Sequence, residues 1–191
     1  MSKRALVLID IQKDYFPGGK WPLEKIESAA DNAAKLLTAA RTAGDLVIHV
    51  RHEFPTVDAP FFVPGSPGAQ IHPKVQPRDG EPVVLKHHVN AFRETDLKSI
   101  LDRHGIEEIV ICGAMSHMCI DAAARAASDL GYRCIVIYDA CATRDQEFQG
   151  AAIPAAQVHA AFMSALNFAY ARLLSTEEYL GGYPQAPATN A

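Results

Sequence analysis

The chain alternates short apolar runs with longer segments of helical periodicity. Four continuous runs rich in Val and Ile have the length of strands that are buried on both faces of a sheet. A fifth run and a weaker sixth have the same character. In chain order, the four runs are ALVLIDI (5–11), LVIHV (46–50), EIVICG (108–113) and CIVIYDA (134–140), and the other two are PVVLK (82–86) and ARLLS (171–175).

Helical patterns lie between these runs. In the first of them, apolar residues recur at spacings of three and four from Ile26 to Ala40, and Gly44 stands where a helix would end. Similar patterns precede Gly105 and Gly131, and a further helix begins near Pro154. Alternating strands and helices predict an α/β fold, an open, Rossmann-like parallel sheet with helices on both faces.

Two stretches interrupt this alternation. Residues 54–81 hold six of the twelve prolines and show no helical period, so they form a long loop between the second and third strands. Long loops of this kind inside compact domains are usually functional. The segment 181–191 is small, polar and Pro-containing, which predicts a flexible C-terminal tail. We therefore expect a single domain over residues 1–180.

Composition narrows the classes of function. The 191 residues carry a formal net charge of −4 and no run of basic residues beyond Lys3 and Arg4, so we expect no nucleic-acid partner. The apolar stretch 153–174 is interrupted by polar residues, which argues against a membrane span. No secretory signal is evident, and four cysteines are too few for a disulfide framework. These features predict a cytoplasmic protein.

Polar side chains stand at three strand ends. Asp10 closes the first apolar run, Lys86 closes the run PVVLK (82–86), and Cys119 follows the strand that ends at Gly113. In an open parallel sheet, ligands bind outside the carboxyl ends of the strands. We therefore expect the carboxylate, the ammonium and the thiol to converge at one edge of the sheet.

These three groups suit covalent acyl transfer. If Ser116 caps the next helix, Cys119 occupies its first turn, where the helix dipole and Lys86 are expected to lower the pKa of the thiol. Asp10 then takes the thiol proton as general base. Backbone N–H groups near Met115 and Cys119 are placed to bind an oxyanion.

Each residue also has a purely structural interpretation. An Asp at a strand end is often a cap, a Lys is usually a solvated charge, and a cytosolic Cys is most often a small buried hydrophobe. Only the combination favours catalysis. The pair His49 and His52 would point to opposite faces of a strand and makes a poor metal site. No dinucleotide fingerprint, phosphate loop or GxSxG elbow is present.

The residues resemble the isochorismatase-like cysteine hydrolases, a family that includes nicotinamidases and N-carbamoylsarcosine amidohydrolase. The resemblance implies a six-stranded parallel sheet and a catalytic triad of Asp10, Lys86 and Cys119. It also implies a cis peptide between Ala114 and Met115, an oxyanion hole from the N–H groups of Met115 and Cys119, and a substrate-facing ring at Tyr15. The matching segments are LIDIQKDYFPGG, VVLKHHVNAF, CGAMSHMCIDAAARAASDLGY and DACATRD.

The chain departs from the nicotinamidases at one place. Those enzymes carry a metal-binding DxH motif after the second strand, whereas this chain reads HEFP at 52–55, with Phe54 in place of the histidine. We therefore expect no metal site and no cofactor. The family also contains isochorismatases, which cleave a vinyl ether, some of them without the nucleophilic cysteine.

The leading hypothesis is a metal-independent amidohydrolase in which Cys119 attacks a small amide. The alternatives are vinyl-ether hydrolysis of an isochorismate-like diacid, and a non-catalytic thiol sensor on the same scaffold. Self-association is expected because relatives are commonly oligomers and the Ala-rich helix 120–130 offers a flat surface. The predicted pocket walls are Tyr15, Phe54, Phe61, Phe62, Phe92 and Met115, with His117 near the entrance.

Overall fold

A single parallel sheet organises the protein. The computed structural model describes residues 3–182. Its six-stranded sheet has the order β3-β2-β1-β4-β5-β8, and a two-stranded hairpin of β6 and β7 stands apart from it. The strands are β1 (Arg4–Ile9), β2 (Leu46–His52), β3 (Val83–Lys86), β4 (Glu108–Ala114), β5 (Arg133–Ala142), β6 (Gln146–Phe148), β7 (Ala151–Ile153) and β8 (Arg172–Leu174).

Helices cover both faces of the sheet. Alternate residues of β1 point to opposite sides, so Leu6 and Leu8 pack with the first helix while Val7 and Ile9 pack with the next three. The predicted α/β architecture is confirmed. The helices are α1 (Ile26–Ala43), α2 (Leu97–Arg103), α3 (Asp121–Asp129), α4 (Ala155–Ala169) and α5 (Thr176–Leu180).

The first strand is shorter than its apolar run. It ends at Ile9, because Asp10 has a left-handed backbone with φ of 53°, which an extended strand cannot contain. The apolar residue Ile11 therefore belongs to the loop that follows, where it remains buried. This turn places the Asp10 side chain at the carboxyl end of the strand.

Two elements were not predicted from the sequence. The hairpin of β6 and β7 follows β5, and α5 follows β8. Helix α5 begins with a capping box in which Ser175 and Glu178 each bond the other's backbone N–H, so this S-x-x-E spacing was an available signal. The loop 54–81 is irregular apart from two short 3-10 turns.

Three of the five alanines of α3 belong to the core of the protein. Ala123, Ala124 and Ala127 are buried against the sheet, so they are not part of a free flat surface. Self-association therefore stays a prediction. No helix within residues 3–182 is long and apolar enough to span a bilayer. The predicted tail 181–191 lies outside the described residues from position 183 onward.

Candidate active site

The strand order brings three predicted residues to one place. Strand β1 pairs with β2 on one side and β4 on the other, and β3 pairs with β2. Asp10 follows β1, Lys86 ends β3, and Cys119 lies in the short helix after β4. All three side chains therefore meet at the carboxyl edge of the sheet, as the sequence predicted.

The distances between the three groups are short. The ammonium of Lys86 lies 2.8 Å from Oδ2 of Asp10 and 3.3 Å from Sγ of Cys119. Asp10 and Lys86 have no exposed surface, and Cys119 is 6% exposed. A carboxylate, an ammonium and a thiol thus share one pocket from which bulk water is nearly excluded.

Three hydrogen bonds use the donors of the Lys86 ammonium. They run to Nδ1 of His52 at 3.1 Å, the carbonyl oxygen of His88 at 3.2 Å, and Sγ of Cys119. Together with Oδ2 of Asp10 at 2.8 Å, these acceptors surround the ammonium. Neither oxygen of Asp10 makes a hydrogen bond of standard geometry within residues 3–182, so its contact with Lys86 is an ion pair.

Burial and charge set the protonation of this pair. Burial raises the pKa of Asp10 above its usual value, although the positive charge of Lys86 opposes the shift. For Lys86, burial favours the neutral amine, but the attraction of Asp10 and Cys119 outweighs it and its pKa is raised. Lys86 therefore stays a cation, and Asp10 is a stronger base than an exposed aspartate.

The expected lowering of the Cys119 pKa is wrong. Burial, with the negative charge of Asp10 in support, raises the pKa of this thiol to about 12, and the opposing effect of Lys86 does not compensate. The resting site therefore holds a neutral thiol beside a carboxylate. Transfer of the thiol proton to Asp10 would convert this thiol to a thiolate.

Contrary to the prediction, Ser116 does not cap a helix. Residues Ser116–Ile120 form a π-helical turn that begins after Met115, so Cys119 is its fourth residue. The Ser116 hydroxyl is buried and donates to the carbonyl oxygen of Ala142 at 3.2 Å. It also contacts Nδ1 of His159 at 2.8 Å, so His159 ties α4 to the turn that carries the thiol.

The backbone before this turn is tightly constrained. The peptide between Ala114 and Met115 is cis, as the family resemblance implied. Gly113 has φ of +127°, and a Cβ placed there would lie 1.9 Å from the carbonyl oxygen of Ile9. Only glycine permits this approach of β4 to β1, which brings the thiol-bearing turn next to Asp10.

Four predicted wall residues form one aromatic cluster. The ring centroid of Tyr15 lies 4.6 Å from that of Phe62 and 5.7 Å from that of Phe61. Phe54 meets Phe61 edge-on at 5.1 Å. The ring centroid of Phe54 lies 4.6 Å from that of His52, whose Nδ1 is 3.1 Å from the Lys86 ammonium, so this cluster lies beside the triad. Burial, together with the charges of Cys119 and Asp10, raises the pKa of Tyr15.

Three wall candidates remain. Met115 precedes the turn that carries the thiol and packs, partly buried, against the same apolar core as the aromatic cluster, whereas the other two lie elsewhere. Nδ1 of His117 is 2.6 Å from Oγ1 of Thr143, and its ring meets the edge of Phe162 on α4. The ring of Phe92 instead faces Tyr132, just before β5, at 6.4 Å. Tyr132 stands at the amino end of β5, so the structure does not bring Phe92 into the aromatic cluster.

The sequence analysis missed two buried residues that assemble the site. The Gln12 amide donates to the carbonyl oxygens of His52 and Ala69, each at 2.8 Å, and accepts from the N–H of His52 at 2.7 Å. Asp14 accepts from the N–H of Phe62 at 2.7 Å. Both fasten the loop after β2 to the loop after β1. Both residues lie directly after Asp10, at the end of β1, and this position was the signal available in the sequence.

His52 is a third such residue, which the sequence analysis considered only as a metal ligand. Its pKa is lowered to about 3, first by burial and then by the charge of Lys86, so the ring is neutral and accepts from Lys86. As expected, His49 points elsewhere, because its Nε2 contacts Glu81 at 3.1 Å. Across the described part of the chain, no three His, Cys, Asp or Glu side chains are grouped to hold a metal.

A separate cavity lies beside the site. Its volume is about 570 Å³, and none of the three triad residues lines it. It opens between the start of α1, the end of β5 and the start of α4, where Cys141 and His159 face it. The Cys141 thiol is buried, which raises its pKa to about 12.

Comparisons with known proteins show which family the chain belongs to. The family model for the isochorismatase domain matches residues 4–167. The uncharacterized isochorismatase family protein YddQ of Bacillus subtilis is 49% identical over 92% of this chain and 98% of its own length. A crystal structure from Oleispira antarctica, described as an isochorismatase hydrolase, superposes with a TM-score of 0.91 at 60% identity, covering 94% of this chain and 96% of that one.

Two more distant relatives have named activities. A streptothricin hydrolase of Streptomyces noursei is 38% identical over 74% of this chain and 50% of its own length. The maleamate amidohydrolase of Pseudomonas putida is 32% identical over 76% of this chain and 75% of its own length. With a family model that spans most of the chain and the same fold in solved relatives, this protein belongs to the isochorismatase family of hydrolases.

Proposed function

We propose that this protein is a metal-independent cysteine hydrolase that cleaves the C–N bond of a small amide. The observation that carries the proposal is the buried Cys119 thiol, held 3.3 Å from a lysine ammonium that is itself paired with Asp10. Burial of an ion pair costs free energy of desolvation, and neither a surface thiol nor a core cysteine requires such a pair beside it. The relative named maleamate amidohydrolase supports amide cleavage, and the relative named streptothricin hydrolase supports hydrolysis in general.

The first half of the reaction forms a thioester. As Sγ of Cys119 attacks the amide carbonyl carbon, its proton passes to Asp10, and the backbone N–H groups of Met115 and Cys119 bind the oxyanion. Asp10 then gives this proton to the leaving nitrogen, the C–N bond breaks, and ammonia or an amine departs. Lys86 stabilises negative charge on sulfur throughout, because its N–H already points at Sγ.

The second half releases the acid. Asp10 takes a proton from a water molecule while the oxygen of that water attacks the carbonyl carbon of the thioester, and the C–S bond breaks. The departing sulfur regains its proton, which leaves the resting thiol and a free carboxylic acid. His52 supports both halves because, as a neutral acceptor, it fixes one N–H of Lys86 and leaves another directed at sulfur.

Vinyl-ether hydrolysis is the second candidate. It needs a carboxylic acid that can protonate the substrate, and the raised pKa of Asp10 favours that form. A peroxide-sensing thiol is less favoured, because sensors need a thiolate and the pKa of Cys119 is raised to about 12. Among the candidates, only amide hydrolysis uses all three triad residues.

The first prediction is that purified protein releases ammonia from members of a panel of small primary amides. The activity is expected to survive dialysis against EDTA, because no metal takes part in the proposed steps. Mass spectrometry of quenched reactions should show an acyl group on Cys119. Turnover of an isochorismate-type vinyl ether without any acyl-enzyme would instead support the second candidate.

The second prediction concerns the pH dependence of kcat/KM. Activity requires ionised Asp10, whose pKa is raised, so the rate should climb with pH through a value above the usual 3.8 of an aspartate. No fall is expected near pH 10, because the pKa of Lys86 lies above 10.5. Initial rates between pH 4 and 10.5 measure this profile.

His52 provides the control for this profile. Because the pKa of His52 is about 3, the fall in kcat/KM at low pH (the acid limb) should not be caused by titration of His52. The substitution His52→Asn keeps an acceptor close to the position of Nδ1 and removes the titratable ring. The limb should therefore stay at the same pH in His52→Asn, and a limb that disappears with the imidazole would contradict the assignment to Asp10.

A further inference from the structure

The separate cavity between α1, β5 and α4 has room for a small organic molecule. Its volume of about 570 Å³ falls within the range of pockets that bind small ligands. Its walls are mainly apolar, with Tyr138, Cys141 and Pro154 among them. Within residues 3–182, no residue of the triad or of the aromatic cluster lines it. A molecule held there is therefore distinct from a substrate in its reacting position.

Three carboxylates stand around this apolar space. They belong to Glu24, Asp139 and Asp145, and none of them forms an ion pair within residues 3–182. Oδ1 of Asp139 accepts from the N–H and the hydroxyl of Thr176, and Oδ1 of Asp145 accepts from the N–H of Ala155. In both aspartates the second oxygen has no hydrogen bond in the same part of the chain. These oxygens are free to accept from a ligand.

His159 adds a further acceptor to the cavity. The Ser116 hydroxyl donates its one proton to the carbonyl oxygen of Ala142, so Nδ1 of His159 carries the proton that joins the ring to Ser116. Burial and the charge of Lys25 lower the pKa of His159, so the ring is neutral near pH 7. The other ring nitrogen, Nε2, is then an acceptor, and it makes no hydrogen bond within residues 3–182.

The charges around the cavity favour a cation. Among the described residues that line it, Lys25 carries the one positive charge against three carboxylates, which leaves a net charge of −2. We infer that this cavity binds a small organic ammonium ion, whose apolar body lies along the walls and whose N–H groups donate to the free acceptors. An N–H on Nε2 of His159 also extends the chain of hydrogen bonds through Ser116 to Ala142, and such chains strengthen one another.

A matched set of three ligands tests the charge of the bound molecule. Benzylammonium, benzyl alcohol and benzoate share a ring with one attached carbon and differ in the charge of the head group. Isothermal titration calorimetry of the full chain at pH 7 should show benzylammonium binding about 10-fold or more tighter than benzyl alcohol, because hydrogen bonds between charged groups are stronger. Benzoate should bind more weakly than either. Equal affinity for benzyl alcohol, or tighter binding of benzoate, overturns the inference.

Variants with matched controls locate the site. Asp139→Asn keeps an oxygen for Thr176 and should weaken benzylammonium about 10-fold without changing the affinity for benzyl alcohol. Asp129→Asn removes the same charge from an exposed residue at the end of α3, at the opposite edge of the sheet, and should have no effect. An equal loss in Asp129→Asn would mean that long-range charge, and not a site at Asp139, attracts the cation.

Filling the cavity tests the same site without changing a charge. Ala156 lines the cavity at the start of α4, so the ring of Ala156→Phe should abolish benzylammonium binding. Ala160→Phe adds the same ring one turn later, at an exposed position outside the cavity, and should bind like the wild type. Binding that survives Ala156→Phe would lie elsewhere, such as on the aromatic cluster, and would overturn the inference.

The imidazole of His159 gives a readout that does not depend on affinity. Long-range ¹H–¹⁵N spectra identify the protonated ring nitrogen, and loss of a signal in His159→Asn assigns the residue. The spectra should show a proton on Nδ1, and benzylammonium should shift the Nε2 signal. A proton on Nε2, or an Nε2 signal that benzylammonium leaves unchanged, would contradict the assigned contact. None of these measurements requires turnover, so their results are independent of the proposed amide hydrolysis.

Discussion

Replacing Cys119 with serine is expected to lower amide turnover by at least about 10⁴-fold while the protein folds normally. The hydroxyl is smaller and occupies the same partly polar position, so packing around it should change little. It is a far weaker nucleophile, and its proton is much harder for Asp10 to remove. Ammonia release measures the activity, and circular dichroism with a thermal melt measures the fold.

A second cysteine gives the matched control. Cys134 is a buried strand residue whose thiol contacts the carbonyl oxygens of Ala124 and Tyr132. Cys134→Ser should retain turnover close to that of the wild type. Wild-type activity in Cys119→Ser on the identified substrate would exclude covalent catalysis and favour vinyl-ether hydrolysis with protonation by Asp10.

The substitution Asp10→Asn is expected to have opposite effects on turnover and on thiol reactivity. Turnover should fall by about 10²–10⁴-fold, because the group that carries the proton from sulfur to the leaving nitrogen is lost. Alkylation of Cys119 by iodoacetamide at pH 8.5 should nevertheless become faster. The negative charge of Asp10 is one cause of the raised thiol pKa, and its removal leaves Lys86 to stabilise the thiolate.

The role of Lys86 in this effect can be isolated. Adding Lys86→Met to Asp10→Asn should reverse the gain in alkylation, because the remaining buried thiolate then has no cation within reach. Peptide mass spectrometry after timed alkylation measures the rate at Cys119 separately from the other cysteines. Slower alkylation in Asp10→Asn than in the wild type would show that Asp10 does not hold the thiol in its neutral form.

The meeting of Asp10, Lys86 and Cys119 was predictable because it follows from topology alone. Parallel strands end at one edge, and a polar residue that ends an apolar run is visible in the sequence. The sign of the thiol pKa was not predictable in this way. It depends on how burial and the charge of Asp10 compare with the charge of Lys86, and a sequence gives the charges without their burial.

The sequence predictions for Ser116 and Phe92 were wrong for similar physical reasons. Ser116 has the residue type of a helix cap, but its hydroxyl is used by Ala142 and His159, two residues that are distant in sequence. Phe92 follows the strand that ends at Lys86, yet its ring packs against Tyr132 because the chain has already turned toward α2. Local rules do not describe such contacts, which form only when the sheet has assembled.

Gly113 has a consequence for how the protein can diversify. The strands β1 and β4 touch there through backbone atoms, with no space for a side chain beside the carbonyl of Ile9. The separation of Asp10 and Cys119 is therefore fixed by main-chain contact, whereas Phe54, Phe61 and Phe62 come from the loop at 54–81. Mutational drift in that loop can explore new substrates while position 113 tolerates no replacement, so specificity and chemistry are free to evolve at different rates.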